Sequence, residues 1–228
     1  MTRRAIDSLS DNAYRQLEEL IVTLKIAPGS LVTEQDLSTT TGFGRTPVRE
    51  AVQRLERDML LRVIPRRGVL IEPIDVQRAL MAIDVRAKVE PLLMERAARL
   101  ADEVERRRFS WLADQMELSV VNADPLAFTR ADREFNDLVT QCARHEVASR
   151  VNMPLHAIGR RIGYCNSQRT TDHADATAAI HVRLVRSIVE EDFDGITTAL
   201  AELFQAGRAI ALAIDQEVLP NSARRRAV

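Results

Sequence analysis

Residues 43–55, "FGRTPVREAVQRL", decide how the first third of this 228-residue chain reads. Val48, Ala51, Val52 and Leu55 fall at i, i+3, i+4 and i+7, the spacing of one apolar helix face, so the stretch predicts an amphipathic helix. Pro47 sits in its first turn, where the N–H that proline lacks would have no intrahelical partner. The other face presents Arg45, Arg49 and Gln53, with the two arginines one turn apart.

Toward the N-terminus, Tyr14, Leu17, Leu20, Ile21 and Leu24 recur at helical spacing and the run stops at "APGS", where Pro28 and Gly29 punctuate. In "LVTEQDLSTTTG", Thr33 followed three residues later by Asp36 resembles a capping box, and Gly42 closes a short second helix. Toward the C-terminus, "LLRVI" and "GVLIEP" are rich in Leu, Val and Ile. They predict a small hairpin with Arg66 and Arg67 at its tip and Gly68 as the permissive turn residue. The predicted order is helix, helix, turn, helix, two-stranded wing.

From Asp75 the strand signals disappear. Helices are expected near 75–101, 104–121, 125–143, 146–165, 173–190 and 193–214, with Pro91 and Pro154 kinking or breaking two of them. The fold class is therefore mainly α: an N-terminal winged unit over 1–74, an all-helical bundle over 75–215, and a flexible tail over 216–228.

Composition narrows the function classes. Apolar residues make up 46% and charged residues 29%, the balance of a globular chain and not of a disordered one. Cys142 and Cys165 form no disulfide framework and no CxxC spacing, which points to a reducing compartment. No leader-like apolar stretch follows the basic N-terminus and no run approaches a membrane span, so a cytoplasmic location is expected.

The net charge is only -1, which argues against indiscriminate coating of nucleic acid, yet its distribution is uneven. Residues 43–67 carry seven arginines against Glu50, Glu56 and Asp58, whereas from Asp75 onward 21 basic residues face 23 acidic ones. The cations are concentrated on the third helix and the wing. A helix N-terminus carrying arginines suits the major groove, where its N–H groups favour phosphate and Arg reads guanine bidentately. Two arginines alone would also fit an ordinary solvated surface; the second basic projection, Arg66 and Arg67, favours a groove and its flanking phosphates.

The stretch 29–71, "GSLVTEQDLSTTTGFGRTPVREAVQRLERDMLLRVIPRRGVLI", resembles the winged helix-turn-helix of the GntR family of bacterial transcription regulators. That family's signature runs E-x-x-L-(A/S), then S-R-T-P-V-R-E-A-L, then an R-R-G wing. The all-helical region resembles the FCD ligand-binding domain of the FadR subfamily. The resemblance implies a homodimeric, effector-responsive regulator that binds a palindromic double-stranded DNA operator, usually as a repressor released by a small molecule. It places Arg45, Thr46 and Arg49 on bases and phosphates and Gly68 and its neighbours Arg66 and Arg67 in the minor groove. Two residues depart from the pattern: Gly44 stands where the family has Ser or Thr, and Gln35 where some members place an arginine against the DNA.

The resemblance also implies a divalent metal of the zinc or nickel type in many FCD domains, held by an Asp, a His four residues later, and two further His 22 residues apart. The matching positions here are Asp132, Asn136, His181 and Leu203, of which two agree and two depart. Leu203 lies in the apolar stripe Ile196, Ala199, Leu200, Leu203, Ile210 and cannot ligate. That leaves an Asp132/Asn136/His181 set completed by water or effector, or a pair that only hydrogen-bonds each other or an effector.

Metal-bearing members sense small carboxylates, with the metal and an arginine holding the acid group; some members without the metal set respond to acyl thioesters. Arg86 matches the arginine of the family's R-x-x-x-E pattern, although a salt bridge to Glu90 explains it equally well. Arg160, Arg161 and Tyr164 are candidates for a cavity wall or for an exposed helix face. His145, His156 and His173 have no ligand spacing and read as surface or satisfied core residues. A metal-dependent hydrolase built on Asp132 and His181 is the competing class, but HExxH, GxSxG and a phosphate loop are all absent. An architectural DNA binder with no effector is the third.

Overall fold

The computed structural model describes residues 8–169 and 172–225, with side chains described except at 172–175 and 216–225. The chain divides into two compact units, Met1–Asp75 and Val76–Val228.

The first unit opens with α1 (Leu9–Val22), capped by a reciprocal Ser8–Asp11 pair. Helix α2 (Glu34–Thr41) begins at the Thr33–Asp36 capping box anticipated from sequence and ends at Gly42, whose φ of 73° is the left-handed stop that glycine supplies without strain. Helix α3 (Arg45–Arg57) buries Val48, Ala51, Val52 and Leu55. That face packs with Leu17 and Ile21 of α1 and with Leu60, Leu61 and Ile71 in one small apolar core. Gly44 occupies the N-cap of α3 and provides no side-chain cap hydrogen bond.

The wing has three strands where two were expected. Strand β1 (Leu31–Val32) joins β2 (Leu61–Ile64) and β3 (Gly68–Ile71) in an antiparallel sheet of order β1-β3-β2. A two-residue strand is too short to leave a periodic signal, which is why the sequence conceals it. Register pairs Leu31 with Leu70 and Ile64 with Gly68. The turn residue also differs: Arg66 takes the left-handed position, with φ 64°, while Gly68 opens β3 with φ 124°. A Cβ on Gly68 would lie 2.5 Å from the Val32 carbonyl oxygen, so the close approach of β1 excludes a side chain there.

The second unit is six helices: α4 (Val76–Leu100), α5 (Glu103–Val121), α6 (Pro125–Ala143), α7 (Glu146–Ser167), α8 (Asp172–Glu190) and α9 (Phe193–Arg225). Helices α4 and α7 run unbroken through Pro91 and Pro154. Helix α9 continues to Arg225, past the end expected near 214 and through most of the segment read as a tail; residues 226–228 lie outside the described residues.

The core of this unit is built on α5 and α8. Phe109, Leu112 and Met116 meet Leu184, Val185 and Ile188, all at 0% exposure, and Phe109 stacks edge-on against Phe135 of α6. Among the described residues no helix is long and apolar enough to cross a membrane.

Candidate functional site

In the first unit the apolar face of α3 is sunk in the core, so its polar face turns outward. Arg45, Thr46 and Arg49 are all exposed. Arg45 donates from Nε and Nη2 to Oε1 of Gln35, at 3.3 and 3.2 Å. Nε of Arg49 lies 3.5 Å from Oε2 of Glu34. Helix α2 thus holds Arg45 through two nitrogens and touches Arg49 through Nε alone, and Gln35, which departs from the family pattern, is the partner of Arg45. Arg66 and Arg67 are exposed at the wing tip, with no acidic partner among the described residues. These four exposed arginines lie on two separate projections of the first unit.

In the second unit a pocket of about 350 Å³ opens among the helices. Its wall is largely apolar, with Ile83, Phe128, Leu203 and Phe204, and it is widened by glycines. Gly159 leaves room for a guanidinium: a Cβ there would stand 2.5 Å from Nη1 of Arg86. Beside Gly163 that position is open space.

Arg86, Asp132, His181, Arg160 and Tyr164, read from sequence as effector residues, all line this pocket. Asn136 does not belong to the lining. Arg161 is neither on the wall nor exposed; it is buried at 5% exposure.

Arg86 is both salt-bridged and placed on the pocket wall. It pairs with Glu90 through Nε–Oε1 at 2.5 Å and Nη2–Oε2 at 3.5 Å, and it also faces the pocket beside Phe204. Glu90 is almost fully buried and additionally accepts from Nδ2 of Asn152 at 3.4 Å. His156 completes this group, with Nδ1 3.6 Å from Glu90 Oε1 and Nε2 2.9 Å from Asn152 Nδ2. Burial above all, then the guanidiniums of Arg86 and Arg160 and the ring of His181, hold the His156 imidazole well below its ordinary range, so it is neutral. Sequence reading left His156 aside because its partners, Glu90 on α4 and Asn152 on α7, form no ligand spacing with it.

His145 is a helix cap, its Nδ1 accepting from Ala148 N. The His173 side chain lies outside the described residues.

Also on the pocket wall, His181 donates from Nδ1 to the Thr177 carbonyl at 2.8 Å, and its Nε2 stands 3.5 Å from Asp132 Oδ1. Phe128 meets the imidazole edge-on at 5.3 Å. Asn136 Nδ2 donates to the Asp132 main-chain oxygen at 2.7 Å and to its Oδ1 at 3.1 Å. The amide hydrogens of Asn136 are therefore turned on the carboxylate, and the residue stands behind Asp132. Leu203, 8% exposed, fills the place of a further ligand. Among the described residues no group of three or more His, Cys, Asp or Glu side chains is placed to hold a metal ion. Two donors and an averted amide do not fit a resident divalent metal.

Comparison with known proteins settles the class. The family described as "Bacterial regulatory proteins, gntR family" matches residues 9–71, and the FCD domain matches residues 82–206. The chain belongs to the GntR family of bacterial regulatory proteins. As a GntR-family transcription regulator it is 24% identical over 200 residues to the HTH-type transcriptional repressor RspR of Escherichia coli K12, a match covering 86% of each chain. Its fold is similar to that of E. coli McbR/YncC, with a TM-score of 0.77 at 17% identity over 90% of this chain and 98% of that one. A GntR regulator from Rhodococcus sp. RHA1 superposes with a TM-score of 0.70 at 16% identity, covering 90% of this chain and 97% of the other. The FCD match contains every pocket residue from α4 to α9 that was read from sequence as an effector or metal candidate.

Proposed function

We propose that this GntR-family regulator is a cytoplasmic, homodimeric repressor that leaves a palindromic operator when a small acid-bearing effector enters the pocket of its helical unit. The observation that carries the reading is the presentation of Arg45 and Arg49 on the outward face of α3, braced from α2, above an apolar face that is wholly buried. In this reading α3 enters the major groove. Arg45, Thr46, Arg49 and Gln35 contact bases and phosphates, and Arg66, Arg67 and Gly68 bring the wing to the minor groove.

A dimer is proposed because one recognition helix reads only a few base pairs, whereas two read a palindrome. The exposed apolar side chains Met81, Val85 and Leu92, which share one stripe of α4, support a partner surface on the helical unit. For effector binding the support is a pocket with apolar walls and a few convergent charged groups, the usual character of a small-molecule site. An effector that prefers one arrangement of the two readers shifts the population toward it and changes operator affinity by its differential affinity alone.

A salt-titrated shift assay on the region upstream of the regulator's own gene tests this function. Wild type is expected to bind specifically, and Arg45→Ala to lose the preference over unrelated DNA. Equal discrimination by Arg45→Ala would overturn the assignment of the reading helix.

A further inference from the structure

We propose that the outer face of α5 is a self-association surface, which packs antiparallel against the same face of a second copy of this chain about a two-fold axis at Trp111.

Helix α5 carries two apolar stripes on opposite sides. One, formed by Phe109, Leu112, Ala113 and Met116, is buried in the core. The other, Val104, Trp111 and Leu118, recurs every seven residues, close to two helical turns, so the three side chains form one line along the helix. With Val121 they are 43% to 81% exposed, although their spacing is that of a packed seam. A helix that is apolar on opposite sides is stable in water when both sides are covered.

Trp111 marks the centre of the line. The Arg108 guanidinium lies over its ring, 4.0 Å from the centroid, and is in turn paired with Glu134 of α6, so the indole is ordered before a partner arrives. Tryptophan and arginine side chains held in this way carry much of the energy of protein interfaces.

The charges select the partner and its direction. Arg107 and Asp114 stand beside the line on the same flank, four residues before Trp111 and three after it. In an antiparallel pair, a two-fold axis through Trp111 sets Val104 against Leu118 of the second copy. It also brings Arg107 to within about 1.5 Å, one residue's rise, of the height of Asp114 of the second copy. The pairing occurs twice by symmetry. A parallel pair would instead hold arginine at the height of arginine. Both side chains can make the exchange. Arg107 pairs with Glu103 on side chains 64% and 85% exposed, and Asp114 lies 3.9 Å from an exposed Arg186; exposed pairs of this kind hold their side chains weakly.

A helix of 19 residues, about 28 Å long, is a small surface, so the association is reversible and concentration-dependent. It is independent of the α4 stripe proposed as a dimer surface. With both in use the assembly holds four chains, and hence two pairs of reading helices for two operators at once.

The test is sedimentation velocity of the full chain over a dilution series. Wild type is expected to assemble to twice the mass that Trp111→Gln reaches at the same concentration. Asp114→Arg is expected to weaken the association by about tenfold or more, and the exchange that combines Arg107→Asp with Asp114→Arg to recover it. All three positions are exposed, and circular dichroism checks that each variant is folded. A dilution curve for Trp111→Gln that matches wild type overturns the inference and leaves the face to a partner of another kind. No loss in Asp114→Arg, or no recovery in the exchange, overturns it as well, because the antiparallel pairing is then absent.

Discussion

Arg45 reaches the surface of α3 with Nε and Nη2 already given to Gln35, so part of its guanidinium is positioned before any DNA arrives. Holding a long side chain in one rotamer saves conformational entropy that binding would otherwise spend. Gln35→Ala is therefore expected to weaken operator binding by about threefold to tenfold and to broaden the base preference at the position read by Arg45. Shift assays against single-base operator variants measure both effects; unchanged discrimination would mean that Gln35 does not position the arginine.

His156 carries a second consequence at this scale. Burial keeps its folded form neutral, whereas the unfolded chain takes up a proton near pH 6.5. The unfolded state then binds more protons as the pH falls, so stability is full above that value and declines below it, by up to about 1.4 kcal/mol per pH unit. Urea unfolding followed through Trp111, the chain's one tryptophan and a residue of α5, checks this. His156→Gln is expected to flatten the dependence, and an equally steep slope in that variant would assign it to other groups.

At the scale of elements, most of what the sequence predicted came from periodicity. The apolar stripes placed α3, α4 to α8 and the start of α9 close to their observed limits, because burial of one helix face leaves a regular mark. The wing was legible only in part. Two strands carried Leu-, Val- and Ile-rich runs, but β1 is a two-residue strand recruited by pairing alone.

Gly68 is the trace of that pairing in the sequence, since it is the position where β1 comes closest. Gly68→Ala adds a Cβ against the Val32 carbonyl at a φ that side chains rarely adopt. It is expected to cost the DNA-binding unit about 1–3 kcal/mol and to weaken operator binding in parallel. Chemical unfolding with a shift assay tests it; wild-type stability would show that β1 can yield without penalty.

For the whole molecule, the reading helix and the pocket belong to different units, and a variant that fills one should spare the other's local structure. Gly163 faces open space on the pocket wall. Gly163→Leu is expected to abolish the thermal stabilisation given by an effector while operator binding persists, because a ligand that cannot enter cannot raise the melting temperature. Melting curves and a shift assay on one preparation separate the two, and a retained ligand shift would place the effector elsewhere.

The sequence by itself determined the helical class, the cap and stop of α2, and the arginines of α3. Each depends on residues a few positions apart, whose physics is local. Only the tertiary structure decided the third strand of the wing, the bracing of Arg45 by Gln35, the place of His156 beside Glu90, and the turning of the Asn136 amide onto Asp132. Most of these pair residues on different elements, and even Asn136 and Asp132, neighbours on one helix, are told apart from ligands only by where the pocket opens. Their identities are written in the sequence, but the geometry that gives them a role arises when separate helices bury their apolar faces together and bring the polar remainder to one wall.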